Sequence, residues 1–136
     1  MKYIFYLLAF PITLSFISCK KEKVDNNQNN IGINKCKSFT IDSKTLTCCL
    51  DSVLADSRCP VNAVCIWEGI TIARFKVSTA NSNQRITLAL RKFSSYNKDT
   101  TLAGFKIEFI NLVPHGEANK PFNYSDYIAE IKVTRP

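Results

Sequence analysis

Six cysteines carry most of the chemistry this chain could perform: Cys36, Cys48, Cys49, Cys59 and Cys65 grouped together, and Cys19 apart near the N-terminus. Cys59 and Cys65 lie six positions apart around a proline-containing loop, the spacing of a local disulfide. Closing so small a loop is worth roughly 2 to 2.5 kcal/mol on the chain-entropy estimate. A zinc site would need paired ligand spacings that these cysteines do not show. The only histidine, His115, sits in Pro114-His115-Gly116-Glu117, a loop composition, with no nucleophile elbow and no Cys–His pair that has a third member. It reads as an exposed loop residue. Carboxylate chemistry has six candidates, Asp56, Glu68, Asp99, Glu108, Glu117 and Glu130, and no spacing singles out a pair. No catalytic residue, metal or cofactor is therefore expected.

The elements that must position these groups are strands. Tyr127, Ala129, Ile131 and Val133 alternate with Ile128, Glu130, Lys132 and Thr134, which is a half-buried strand near the C-terminus. Ile86, Leu88 and Leu90 alternate with Arg85, Thr87, Ala89 and Arg91 in the same way. The stretches 70–77 and 105–113 are apolar on both faces and should be central strands. Turn-prone segments separate them at 78–83, 94–99 and 114–121, and a short helical turn fits Asn123 to Asp126. Short strands joined by polar turns imply an all-β fold, an antiparallel β-sandwich of immunoglobulin-like type.

The first hairpin fixes a register. If Asp42-Ser43 is a two-residue turn, strand 36–41 places Phe39 opposite Leu46 and Cys36 opposite Cys49 in strand 45–50. Neighbouring cysteines in a strand point to opposite faces, so only one of Cys48 and Cys49 can reach Cys36. The two-residue turn predicts a Cys36–Cys49 bridge on the outer side with Cys48 buried; a longer turn would exchange Cys48 and Cys49.

Lys2, the apolar run from Tyr3 to Ile17 and the small Ser18 before Cys19 have the form of a secretory signal. The run is too short and too abruptly ended for a spanning helix. With cysteine at the cut, it resembles a bacterial lipoprotein signal; the departure is Phe16, where leucine is usual. That resemblance implies cleavage after residues 1–18, acylation of Cys19, and disulfides formed in an oxidising compartment. Residues 19–34, rich in Lys, Asn, Gln and Asp, read as a flexible polar tether, and 35–136 as the β-sandwich domain. Removing Lys2 with the signal leaves 17 Lys and Arg against 11 Asp and Glu. The basic residues are scattered along strands without a binding motif, which argues against nucleic acid as a partner.

The most distinctive internal stretch runs from Asp56-Ser57-Arg58-Cys59-Pro60 to Cys65-Ile66-Trp67-Glu68-Gly69. It resembles a D-S-R-C-P…C-x-W-x-G motif of small envelope lipoproteins, many from Bacteroidota, most of which have no assigned activity. The resemblance implies an envelope β domain and no reaction. Asp51-Ser52-Val53 and Asp99-Thr100-Thr101 look like O-glycosylation triplets of that group. Asp56, Arg58, Trp67 and Glu68 could form a binding rim with Trp67 as aromatic anchor. Alternatively, Asp56 and Arg58 pair within the loop and Trp67 fills the core edge.

Together these readings describe a binding or interaction module without catalysis, lipid-anchored in the bacterial envelope, on the outer membrane. It is held to the membrane by its lipid and meets an envelope protein or glycan. The alternatives are an inhibitor of a protease or lytic enzyme, which needs a protruding loop with a disulfide at its base, and an envelope hydrolase using carboxylates.

Overall fold

The computed structural model describes residues 29–136. The expected signal peptide, the acylated Cys19 and the tether up to residue 28 lie outside the described residues. Eight strands form two four-stranded antiparallel sheets. The first sheet runs in the order β2 (Cys36–Ile41), β3 (Lys44–Asp56), β4 (Thr71–Thr79), β5 (Ser82–Ala89). The second runs β1 (Asn30–Gly32), β8 (Ile128–Thr134), β7 (Phe105–Val113), β6 (Asp99–Leu102). The sandwich architecture is as expected. Its connectivity is two successive meanders, with β1 the one early strand placed in the later sheet, in keeping with the tendency of consecutive strands to lie side by side.

Alternation decides which side chains go inside. Cys48 and Leu50 of β3 pair with Val77 and Phe75 of β4, and these four are buried together with Leu46, which lies opposite Thr79. From the opposite sheet come Ile107, Phe109 and Leu112 of β7 with Ala129 and Ile131 of β8. The Phe75 and Phe109 rings meet edge to face across the interior, centroids 5.4 Å apart, an arrangement that adds about 0.5–1.5 kcal/mol to their area burial. The two doubly apolar segments are central strands β4 and β7, as the sequence implies.

Asp42 and Ser43 both have positive φ, 51° and 63°, the geometry of a tight two-residue hairpin turn. The register that follows pairs Cys36 with Cys49 and Phe39 with Leu46. Cys36 and Cys49 are disulfide-bonded across the outer face, and Cys48 is the buried free thiol.

Three boundaries differ from the sequence reading. The tether ends earlier than residue 34: Asn30–Gly32 pairs with Glu130 to Ile128, and Ile31 joins the core. The backbone then crosses to the other sheet, where Asn34 N–H donates to Leu50 O and Leu50 N–H to Lys35 O. β3 continues six residues past Leu50, because two irregularities, at Leu50/Ser52 and Val53/Ala55, break the alternation without ending the pairing. Asp51, unpaired in that register, turns its carboxylate to Lys76 at 2.7 Å. The Ser52 hydroxyl, the acceptor of the first expected triplet, is buried here. Finally, Asp99–Leu102 forms an edge strand rather than the end of a loop.

Burial pushes the Cys48 thiol up to about 12. In the oxidised 29–136 domain, a thiol reagent at neutral pH should therefore find nothing to label until denaturant is added. It should then label one cysteine per chain. Labelling of Cys49 in its place would contradict the pairing.

Candidate functional site

The two ends of the sandwich differ. At one, β2–β3, β4–β5 and β6–β7 are joined by two-residue turns at 42–43, 80–81 and 103–104. At the other lie three long connections, 57–70, 90–98 and 114–127. Long loops on a rigid scaffold are where binding residues concentrate.

Asp56, the last residue of β3, holds these loops together. Its carboxylate accepts from Arg58 Nε and NH2 at 2.7 Å each, from Tyr127 OH at 3.0 Å and from Thr71 Oγ1 at 3.3 Å. Arg58 also donates to the carbonyls of Leu112 at 2.6 Å and Pro114 at 3.0 Å. One bidentate, largely buried ion pair thus links β3 and β4 of one sheet to β7 and β8 of the other. Burial by itself would raise the Asp56 carboxyl. The Arg58 hydrogen bonds and charge, joined by Tyr127, outweigh burial and hold it below the ordinary range. Burial and the neighbouring carboxylate push the Tyr127 hydroxyl up to about 12. Phe122 and Tyr124 pack edge to face on the Tyr127 ring, and Val53 N–H donates to Tyr124 OH at 2.7 Å. The loop 114–127 is thereby clamped to the irregular part of β3.

Above this node the Cys59–Cys65 disulfide closes the expected small loop. Neighbouring main chain braces it. Val61 N–H donates to Gly116 O at 3.0 Å, Ala118 N–H to Asn62 Oδ1 at 2.6 Å, and His115 Nε2 lies 2.8 Å from Cys59 O. His115 is exposed, as expected, and its ring serves as a brace. At the loop's return, Ser57 N–H donates to Ile70 O at 2.9 Å, and a Cβ on Gly69 would come within 1.7 Å of Ser57 O. Only glycine allows that approach. Arg91 NH2 donates to the carbonyls of Glu68 at 2.9 Å and Gly69 at 3.2 Å, which joins the 90–98 loop to the same base.

The four residues expected as a rim therefore separate. Asp56 and Arg58 point inward and tie the sheets together; Trp67 and Glu68 point outward. The expectation that Trp67 fills the core edge is corrected, since the loop carries it beyond the sheets and its exposure is 75%. Val64 and Ile66, which the sequence reading did not single out, are exposed at 103% and 96%. Three apolar residues in a loop with no alternation were the available signal. Arg91 and Tyr127 were also missed as members of the site, because each read as one more residue of a strand.

Between the loops lies a cleft of about 260 Å³, bounded by Arg58, Cys59, Glu68, Gly69, Thr71, Leu90, Arg91 and His115. The Arg58 guanidinium is already bonded, and Arg91 donates from one terminal nitrogen to two carbonyls while its buried Nε has no hydrogen-bond partner. A larger groove of about 700 Å³ lies at the hairpin end, far from these groups, with Lys44 the one ionisable residue in its lining. Asp99 and Glu108 face each other across β6–β7, but Lys106 and Lys98 hold them on the outer face. Among the described residues no three His, Cys, Asp or Glu side chains gather as a metal site.

Both limbs of the pH–stability profile should report the Asp56 node. A carboxyl with depressed folded pKa stabilises above its unfolded value, and that contribution is lost as pH falls through the folded pKa. Asp56→Asn should remove this acid limb and, by leaving Arg58 buried and unpaired, cost about 3–5 kcal/mol at neutral pH. A hydroxyl raised from 10 to about 12 gives the opposite limb, stability lost as pH climbs through that window. Tyr127→Phe should flatten it in chemical denaturation at stepped pH. Gly69→Ala should lower the melting temperature, since Ser57 must move.

Comparison of the chain with protein-family models, curated proteins and solved structures gives no match to any of the three.

Proposed function

We propose that this chain is a lipid-anchored protein of the bacterial cell envelope whose β-sandwich domain is a binding module, with the long-loop end as its working surface. The observation that carries this reading is the tip Val64–Trp67, apolar side chains turned into solvent on a loop fastened at its base. Folding ordinarily hides such side chains. A disulfide and a set of main-chain braces that hold them outward instead support a surface prepared for contact, because the ordering entropy is already spent before a partner arrives. Two disulfides suit an oxidising compartment. The apolar run ending at Cys19 and the resemblance of 56–69 to envelope lipoproteins support the address.

A second reading, inhibition of a protease or lytic enzyme, is favoured by the same exposed tip, which flanks the Cys59–Cys65 disulfide. Stoichiometric loss of a hydrolase's activity on adding the domain, abolished by Trp67→Ser, would select that reading.

The anchor is tested by Cys19→Ala in the source bacterium. The variant should move from the membrane to the soluble fraction with its melting temperature unchanged, and wild type should carry lipid mass on its N-terminal peptide. Membrane retention of the variant, with no lipid mass on wild type, would overturn the anchor.

A further inference from the structure

We infer that the partner of the Val64–Trp67 tip is a lipid surface, so that the loop is a second membrane contact beside the anchor. The inference rests on the reading above that the loop end is the working surface and Cys19 the lipid-bearing residue.

Shape favours it. Val64 and Ile66 are as exposed as isolated residues, and Trp67 is three-quarters exposed, which describes a convex tip rather than the lining of a groove. A stable protein–protein interface buries about 1,200–2,000 Å², and three side chains on a narrow loop supply a fraction of that. A bilayer asks for no matching surface. It accepts aliphatic side chains below the headgroups, with Trp at headgroup level. Phe93, exposed on the adjoining 90–98 loop, adds a fourth apolar side chain.

Charge at this end permits the approach. Arg91 and Lys92 immediately precede Phe93 in sequence. The two glutamates nearby are held beside cations, Glu68 at 3.7 Å from Arg91 and Glu117 at 3.3 Å from Lys120. An anionic headgroup layer therefore meets no uncompensated carboxylate from either.

The point of chain entry permits it through tether length, since β1 runs toward the loop end and is entered from the hairpin side. Asn29 O accepts from Ile131 N–H, three residues into β8, which is about 10 Å from the loop end of the sheet at strand rise. Ten residues separate Asn29 from Cys19, a span of at most about 36 Å. An anchor on Cys19 and the loop tip can therefore meet one bilayer. Tethering raises the effective concentration of the tip at that surface, so a contact too weak to hold a free domain becomes occupied.

Residues 19–136 can be coupled through Cys19 to a maleimide lipid in vesicles of phosphatidylethanolamine and phosphatidylglycerol. Cys48 is buried and the other four cysteines are bridged, so coupling is directed to Cys19. Trp67 is the only tryptophan and reports the tip directly. Its emission should shift to shorter wavelength on coupling and be quenched by lipids brominated in the upper acyl chain. The Val64→Ser/Ile66→Ser variant, folded by circular dichroism, should lose both effects. Emission that stays that of water-exposed indole on coupled vesicles overturns the inference. So does emission that shifts only when envelope proteins are added, which assigns the tip to a protein partner. Failure of the anchor reading shows separately, as absence of lipid mass on Cys19 of the native chain, and leaves the vesicle result to be judged by itself.

Discussion

The bidentate pair between Asp56 and Arg58 is the constraint on which the loop end depends. A carboxylate and a guanidinium drawn this far from water are costly unless their remaining hydrogen-bonding capacity is met. Here it is met by groups from both sheets: Thr71 and Tyr127 on the carboxylate, and the Leu112 and Pro114 carbonyls on the guanidinium. Because the partners come from four strands or their ends, the pair can be satisfied only when the sheets are correctly stacked. It therefore acts as a check on assembly as well as a bond. Everything above it, including the disulfide loop and the Arg91 contacts, is built outward from a fixed floor.

That floor explains why a small loop can hold apolar side chains in water. A flexible loop carrying Val64, Ile66 and Trp67 would fold back and cover them. The Cys59–Cys65 bridge shortens the chain available for folding back, and the 115–118 backbone occupies the loop's other flank. Geometry opposes the hydrophobic effect here, at the expense of exposed apolar surface, and such exposure commonly marks a contact.

Much of the sandwich is legible in the sequence where period-two alternation survives. The β2–β3 register, the Cys36–Cys49 bridge and the inward turn of Cys48 follow from one two-residue turn and the opposed facing of neighbouring strand residues, and the Cys59–Cys65 bridge from its six-residue spacing. The signal fails where alternation fails. β3 beyond Leu50 is hidden by its two bulge-like irregularities, β6 by having Leu102 as its one apolar side chain, and β1 by the Asn-rich context around Ile31. At the site, Asp56 and Arg58 could be read as a pair two residues apart, but not as a link between sheets. Tyr127, Leu112 and Pro114 reach them only through the fold. The outward display of Trp67 matches the rim reading and not the core-edge one, and the sequence does not choose between them because tryptophan is usually buried and the bracing contacts come from distant loops.

β1 has a mechanical consequence. The polypeptide enters the domain at this strand, whose three residue pairs with β8 and single buried side chain, Ile31, are the first structure that a load transmitted through the N-terminus would meet. The main sheet pairs, β3 with β4 and β4 with β5, lie behind it and share none of those bonds. A pull from that side would load β1 first, and freeing this short strand would withdraw Ile31 from the core.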